Sequence, residues 1–300
     1  MSGRDLGASA RQRLLDLARA QGRPFQEVLQ YFAMERFLYR LGQSPFAGRF
    51  ILKGALLLTA WRAPLTRPTM DIDLAGRTSN ELDHIRSVVV EVCRTAGQPD
   101  GIEFDPASVE AQRIKEDAEY AGVRVRFTAT LARARIPMQI DIGFGDLIVP
   151  GPVEVEYPAL LEFPPPMLMA YPKETVVAEK LEALTVLGLL NSRIKDYYDL
   201  ALLSRLYAFD GALLAEAIRS TFRHRGTAVD PDPAGLTDAY SADPARIVQW
   251  KAFVQRSRLD PQSGLAETVK DVGRFALPPL SAVARADSFH LRWTPGGPWE

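Results

Sequence analysis

Apolar residues recur at helical spacing near the start of the chain, and the pattern changes twice further along. Residues 9–21 and 24–41 each form an amphipathic stretch, with Pro24 suited to a helix start and Gly42 to a helix stop. The pattern therefore predicts two helices before residue 45.

From about residue 50 to 150, short β-rich runs are mixed with helical patterns. Runs typical of strands cover 50–52, 71–74, 109–114, 122–130 and 138–144, and helical patterns cover 55–61 and 80–95. This alternation predicts an α/β segment with a small sheet. Prolines then crowd positions 150–166, which indicates a rigid connection, and helical spacing dominates from Lys173 to about Phe275.

These changes of pattern predict four regions. We expect N-terminal helices (1–45) packed on a core (46–165), followed by a helical bundle (166–280) and a C-terminal tail (281–300). The predicted fold class is thus α/β in the α+β sense.

Composition limits the class of protein more than its partners. Apolar residues make up 47% of the 300 residues and charged residues 24%, without an apolar run of bilayer length, so we expect a soluble globular chain and no membrane partner. The net charge of −1 means that a polyanion must be met by a local basic patch. One cysteine, Cys93, permits no intrachain disulfide, and no signal-peptide pattern opens the chain, so a cytoplasmic location is expected.

Two aspartates one residue apart, Asp71 and Asp73, are the first candidates for chemistry. Alternation along a strand would send both carboxylates to one face while Ile72 and Leu74 point into the core. Mg²⁺ takes oxygen ligands, commonly one or two carboxylates plus substrate phosphates. The pair therefore suits a divalent metal that holds a triphosphate, although an acidic face on a surface strand gives the same pattern.

Residues around these aspartates could bind the phosphates. The strand that ends at Lys53 turns at Gly54 into an apolar helix, which brings a cation and free backbone N–H groups to one point. Arg67 and Thr69 precede the acidic pair and could contact phosphate oxygens. Asp141, in an alternating run, could lie beside the pair on a neighbouring strand as a third metal ligand, or be a polar residue of a half-exposed strand.

The helical half carries a second polar group. Lys180 lies beside an apolar stripe and could reach a phosphate, and Asp196 and Asp199 lie three residues apart on one helix face near Arg193. Ion pairs between helices would explain the same residues.

Several basic side chains are candidates for a nucleic-acid backbone groove. Those on or beside predicted strands are spaced two apart, and a further group lies near a helix end. They are Arg113, Lys115, Arg124, Arg126, Arg133 and Arg135, and then Arg219, Arg223, His224 and Arg225.

Four motifs in order resemble the AbiEii/AbiGii family of nucleotidyltransferase toxins from bacterial toxin–antitoxin and abortive-infection systems. The motifs are residues 50–56, 67–74, 179–184 and 193–200, and the resemblance spans roughly residues 25–210. It implies a DNA-polymerase-β-like nucleotidyltransferase core with a small mixed sheet and an added helical domain, using Mg²⁺ and a nucleoside triphosphate. It also implies that Asp71 and Asp73 bind metal, that Lys180 binds the triphosphate, and that Asp196 completes the catalytic set.

The function implied by this resemblance is transfer of a nucleoside monophosphate to an RNA 3′ end, with the tRNA acceptor stem as the expected target and growth arrest as the result. A cognate antitoxin protein would restrain the enzyme. Three alternatives fit the same residues: a nucleotidyltransferase acting on a small molecule or a protein side chain, a kinase-like phosphotransferase, and a binding module in which the carboxylates only hold helices together.

Overall fold

Seven strands form one mixed sheet in the first part of the chain, in the order β3-β4-β5-β2-β1-β7-β6. The computed structural model describes residues 3–63, 67–115, 121–259 and 263–300. Neighbouring strands are antiparallel except for β2 with β5 and β1 with β7, which are parallel. The strands are β1 (Phe50–Lys53), β2 (Ile72–Gly76), β3 (Ile102–Lys115), β4 (Ala121–Leu131), β5 (Ala134–Phe144), β6 (Val153–Glu156) and β7 (Met167–Ala170).

The chain divides into two units, each with its own core. The sheet unit comprises Met1–Asp146 and Val153–Ala170, and the helical unit comprises Leu147–Pro152 and Tyr171–Glu300. The sheet unit also contains four helices: α1 (Gly3–Ala20), α2 (Phe25–Gln43), α3 (Leu56–Ala60) and α4 (Leu82–Arg94). The helices predicted at 9–21 and 24–41 are confirmed, as are the five predicted strands.

Strand alternation decides which face of the sheet is covered. Along β5, Ile136, Met138, Ile140 and Ile142 are buried, and they share a face with the buried valines of β4. Helix α2 packs against β5, and its Phe37 ring lies 5.2 Å from the ring of Phe127, measured between centroids. The apolar face is therefore closed by helices, and the alternate positions are left for polar side chains.

A buried ion pair fixes α2 to the strand side of this core. The Arg40 guanidinium donates to both carboxylate oxygens of Asp100, at 2.9 and 3.0 Å, and also to the Ile102 carbonyl. One turn earlier on the same helix, the buried Arg36 donates to the Pro164 carbonyl and Glu35 accepts from the Leu160 N–H. These contacts tie the proline-rich segment to α2.

The proline-rich segment is not the simple connection that its composition predicts. It contains β6 and β7, which pair with each other, and β7 adds to the sheet beside β1. Only residues 147–152 of this region are grouped with the helices. The interpretation was wrong because four-residue strands are too short to show a clear alternation between prolines.

The helical unit is built around aromatic side chains. Its helices are α5 (Lys173–Leu187), α6 (Ile194–Leu206), α7 (Gly211–His224), α8 (Asp238–Ser241), α9 (Pro244–Ser257) and α10 (Leu265–Ala284). Tyr197 and Tyr240 stack at 4.8 Å between ring centroids. The end of the chain is folded onto this core: Trp293 lies in β9 (Arg292–Trp293), which pairs with β8 (Phe209–Asp210), and Trp299 stacks on Phe275. The mixed α/β class with a C-terminal helical part is thus confirmed.

Across the described ranges of the chain, none of the helices has the length and apolar character that crossing a membrane requires.

Candidate functional site

One residue from each of four neighbouring strands forms a polar row across the sheet. Lys53 on β1 pairs in register with Asp73 on β2, Asp73 pairs with Asp141 on β5, and Asp141 pairs with Arg124 on β4. Residues in register on neighbouring strands share a face. The placement of Asp141 beside Asp73, expected from strand alternation, is confirmed by this register.

Asp71 is positioned by a turn instead of by the strand. Strand β2 begins at Ile72, one residue later than predicted, so alternation does not set the direction of the Asp71 side chain. The Asp71 N–H donates to the Thr69 hydroxyl at 3.5 Å, and that hydroxyl donates to the Asp71 carbonyl at 3.4 Å. Thr69, predicted to bind phosphate, is thus also part of the turn that carries Asp71.

Gly54 allows the backbone to approach the Asp73 carboxylate. The residue has a φ of +71°, in the left-handed region, and a Cβ built on it would lie 1.9 Å from Asp73 Oδ2. Glycine meets both requirements because it tolerates positive φ and has no Cβ. Gly54 therefore forms one wall of a cradle around the Asp73 carboxylate.

Asp141 is held by an arginine. Arg124 donates from Nε and Nη2 to the two oxygens of Asp141 at 2.8 and 2.7 Å, and Gln139 Nε2 lies 3.4 Å from Oδ2. The hydrogen bonds to Asp141 raise the pKa of Arg124, and the charges of Asp71 and Asp73 raise it further. Arg124 therefore lies in the electrostatic field of all three carboxylates, and the role of Asp141 as a metal ligand stays a prediction.

Lys53 has an acidic partner beyond the row. Its ammonium lies 3.0 Å from the Asp146 carboxylate, and both side chains are about nine-tenths buried. Asp146 therefore forms a largely buried ion pair with Lys53. Arg67 is buried, with 9% of its surface exposed, next to residues 64–66 outside the described ranges.

The donor set at Asp71 and Asp73 fits a magnesium ion with phosphate ligands. Both carboxylates are half-buried. Gly54 leaves space for the carboxylate of Asp73, which any side chain at position 54 would fill. Among the residues that the structure describes, no three His, Cys, Asp or Glu side chains are grouped to hold a metal by themselves. Mg²⁺ does not need such a group, because it is commonly bound by one or two carboxylates together with substrate phosphates.

In the helical unit, two aspartates of α6 surround the predicted lysine of α5. Lys180 Nζ lies 2.5 Å from Asp196 Oδ1 and 2.9 Å from Asp199 Oδ2, and Arg193 Nε donates to Asp196 Oδ2 at 2.6 Å. Asp196 is 1% exposed. Burial alone would raise the pKa of Asp196, but the charges of Lys180 and Arg193 outweigh it and hold that pKa below its usual range.

These four side chains form ion pairs between α5 and the start of α6, as the ion-pair interpretation of the sequence expects. Lys180 keeps 13% of its side chain exposed, whereas the two aspartates keep 4% or less. Solvent or a ligand therefore reaches Lys180 more easily than it reaches either aspartate. Its predicted contact with phosphate and the catalytic role of Asp196 stay predictions.

The basic candidates fall into two groups. Some are engaged with acidic or amide partners: Arg113 with Glu81, Arg126 with Gln139, Arg219 with Glu216, and Arg225 with Glu182 and Glu179. Others, namely Arg133, Arg135, Arg223 and His224, are exposed. Lys115 lies on β3 at the border of residues 116–120, and its side chain is outside the described set.

Arg124, Arg126 and Arg135 lie on the same sheet face as Asp141. Arg124 and Arg126 are two apart on β4, and Arg135 pairs with Thr130, which is four residues beyond Arg126 on that strand. At about 3.3 Å per residue, Arg135 lies roughly 20 Å along β5 from Asp141. The face that carries the carboxylates thus continues into a basic strip.

The sequence interpretation missed the pairing of Arg124 with Asp141 and of Lys53 with Asp146. The first had a usable signal, because a tight turn at residues 132–133 fixes the register of β4 and β5 and places 124 opposite 141. The second had none, since the partners are 93 residues apart on different elements.

Comparison with known proteins gives one family and two solved structures. The model of the family described as "Nucleotidyl transferase AbiEii toxin, Type IV TA system" matches residues 36–276, which contain all four sequence motifs. A crystal structure of an H. pylori protein assigned as a nucleotidyltransferase is 16% identical, with a TM-score of 0.44, over 87% of this chain and 96% of that one. The crystal structure of JHP933 from Helicobacter pylori is also 16% identical, with a TM-score of 0.45, over 84% of this chain and 89% of that one. The curated proteins give no significant match.

Proposed function

This chain belongs to the AbiEii family of nucleotidyltransferase toxins, and we propose that it transfers a nucleoside monophosphate from a nucleoside triphosphate to the 3′ end of an RNA. The acceptor stem of tRNA is the proposed target. The product would be an RNA with a blocked 3′ end, which halts translation and growth.

The observation that carries this proposal is the cradle at the end of β1. Gly54 brings backbone against the Asp73 carboxylate, and the Thr69 turn holds the backbone of Asp71 two residues before Asp73. Two carboxylates and a glycine turn are what a metal–triphosphate complex needs from a protein. A Mg²⁺ ion bound there would supply charge stabilisation at the phosphates.

The chain's own groups would act by holding the nucleotide and aligning the acceptor. Asp71 and Asp73 bind the metal, while Lys53, Gly54, Arg67 and Thr69 line the phosphate side. The 3′-hydroxyl oxygen of the RNA forms a bond to the α-phosphorus and releases its proton to solvent. The bond from that phosphorus to the oxygen bridging the α- and β-phosphates breaks, and pyrophosphate leaves. Lys180 and Asp196 enter this proposal from the family motif, as the phosphate-binding cation and its buried partner.

The basic strip supports an RNA acceptor. Arg126 and Arg135 are exposed on the face that carries Asp73 and Asp141, and Arg133 is exposed in the adjacent turn. A strip of this length spans several phosphates of a nucleic-acid strand, and binding through it would weaken steeply with salt. Substituting Arg126 and Arg135 together by Gln is expected to raise KM for RNA at least tenfold and to reduce the salt dependence.

The test is incubation of the purified protein with total tRNA, Mg²⁺ and each α-³²P-labelled nucleoside triphosphate in turn, with the Asp73→Asn variant alongside. Label on tRNA that depends on Asp73 would support the proposal and name the donor. Label on a protein or small molecule instead would favour the alternative acceptors. Transfer of label from a γ-³²P donor alone would establish the kinase-like alternative.

Membership of a type IV toxin–antitoxin family implies an antitoxin. We propose that a separately encoded protein restrains this enzyme in the cell. Expression of the wild-type chain is then expected to arrest growth, co-expression of the cognate antitoxin to restore it, and Asp73→Asn to be harmless alone.

A further inference from the structure

The segment that leads into β2 is held by helix α2, which is distant from it in sequence. Strand β2 first pairs with β5 at Ile72 and Ile140, so the ladder between these strands starts there. Just outside it, Gln30 Nε2 donates to the carbonyl of Met70 at 3.3 Å and to that of Pro137, in β5, at 3.0 Å. One side-chain amide of α2 thus joins the two segments where the backbone ladder ends.

Tyr31, the next residue of α2, makes a second contact with the same segment. Its hydroxyl oxygen accepts from the Thr69 N–H at 3.2 Å. The Arg23 guanidinium lies over the Tyr31 ring, 4.9 Å from its centroid, and donates to Glu27 at 2.9 and 3.1 Å. Gln30 and Tyr31 are 1% and 5% exposed. Both side chains are therefore anchored in the core, and their polar ends reach the backbone of the segment.

The contacts from α2 continue to Asp71 through the turn. Thr69, whose N–H is bound by Tyr31, accepts the Asp71 N–H on its hydroxyl at 3.5 Å. The side chains of the segment offer little packing of their own, because Thr69 is only half-buried and Met70 is 46% exposed. Backbone hydrogen bonds to α2 are therefore the contacts that place this turn against the core.

We infer that Gln30 and Tyr31 are positioning residues for Asp71, and that helix α2 therefore helps to build the metal site. Their effect is exerted through the backbone of residues 69–70. Both precede residue 36, where the match to the family begins, and neither lies in the four sequence motifs. The inference rests on the proposed function, because it concerns the placement of a proposed metal ligand.

The first test is amide hydrogen exchange of the full chain without metal or nucleotide, resolved by residue with NMR. Tyr31→Phe removes only the oxygen that accepts from Thr69, and because an internal hydrogen bond shifts an equilibrium by roughly twofold to tenfold, the Thr69 amide should exchange about threefold faster or more. Ser44→Ala is the matched control. Ser44 lies at the C-terminal end of α2, is 7% exposed, and its hydroxyl accepts from the Phe46 N–H at 3.2 Å. This control should speed exchange at Phe46 and leave Thr69 unchanged.

The second test is Mn²⁺ affinity, measured by electron paramagnetic resonance of the full chain without RNA. Tyr31→Phe is expected to weaken binding about threefold or more. Gln30→Met removes both donations at similar side-chain length and should weaken it at least fivefold, whereas Ser44→Ala should change it less than twofold. When Asp71 is already replaced by Asn, Tyr31→Phe should change the affinity less than twofold, because positioning then has no carboxylate to act on.

Unchanged Thr69 exchange in Tyr31→Phe, or wild-type Mn²⁺ affinity in both α2 variants, would overturn the inference and leave the proposed function standing. An equally large effect of Tyr31→Phe with and without the Asp71 carboxylate would overturn it too, since a purely structural role predicts that result. Absence of bound Mn²⁺ from the folded wild type would overturn the metal site and the inference together. Because no RNA is present, failure of the RNA acceptor alone alters none of these results. Each affinity is measured below the onset of thermal unfolding, so a loss of stability does not register as a loss of binding.

Discussion

Replacing Gly54 by alanine tests whether the close backbone approach positions the carboxylate of Asp73, the proposed metal ligand. The new Cβ would lie 1.9 Å from Asp73 Oδ2 and 2.6 Å from its Cγ, whereas ordinary contact with a Cβ begins at 3.4 Å. The carboxylate would therefore have to retreat by about 1.5 Å. A misplacement of about 1 Å costs on the order of a hundredfold in rate when it moves a reacting group. We expect Gly54→Ala to lower kcat/KM for nucleotide transfer at least a hundredfold.

The stability cost of the same change is smaller. An alanine at positive φ costs about 1–2 kcal/mol, and overpacking adds about 1–3 kcal/mol. Gly22 provides the matched control in the same unit, because its φ is +62° and a Cβ there meets nothing within 4 Å. Gly22→Ala is expected to cost about 1 kcal/mol for its backbone alone and to keep full activity.

The assay compares both variants with wild type by transfer of α-³²P label and by urea unfolding. Loss of activity in Gly54→Ala with a folded chain, and none in Gly22→Ala, would support the cradle. The reasoning would be refuted if Gly54→Ala stayed within threefold of wild type, or if Gly22→Ala lost as much activity.

Three further predictions concern buried charges outside the cradle. Asp196→Asn should cost about 3 kcal/mol by leaving Lys180 without its nearest partner. Because the pKa of Asp196 lies below its usual 3.8, its stabilisation is present above that pH and is lost as pH falls below it, which acid unfolding of wild type and variant would show. Burial raises the pKa of Glu35 from 4.5 to about 7, so the folded chain holds a proton that the unfolded chain releases, and stability should fall by about 2 kcal/mol from pH 5.5 to 7.5. Glu35→Gln should remove that slope in urea titrations at the two pH values. Asp100→Asn should cost about 3 kcal/mol by breaking the buried pair with Arg40, with transfer activity per folded molecule unchanged.

Local patterns in the sequence were enough to predict most of the secondary structure of the sheet unit. Long strands such as β4 and β5 show clear alternation, and Asp141 could be placed beside Asp73 because one face of each strand is apolar. Short elements without a period were beyond this approach. Strands β6 and β7 have four residues each and owe their place in the sheet to pairing and not to their own pattern.

The sequence was enough to identify which residues are candidates for the site, but only part of their contacts with one another could be predicted. The aspartates and Lys180 stand out because charged side chains beside apolar stripes are unusual. Which charges meet depends on contacts distant in sequence, as with Lys53 and Asp146, and no local pattern encodes these. Asp71 shows a different limit. The predicted start of β2 was one residue too early, so strand alternation does not explain the position of Asp71, which is set by a turn instead.

The chain passes between its two units three times, after residues 146, 152 and 170. A single cut therefore leaves the sheet unit intact only if it falls after residue 170, and residues 147–152 of the helical unit then stay with it. A fragment ending at residue 165 would lack β7 and leave the backbone groups of β1 without their parallel neighbour, and an open edge of that kind promotes association with other chains. In evolution, a single recombination event could replace the helices without removing part of the sheet only if its junction lay after residue 170. The cradle at Gly54 is thus inherited together with the β6–β7 hairpin, which begins at Val153, far later in the chain.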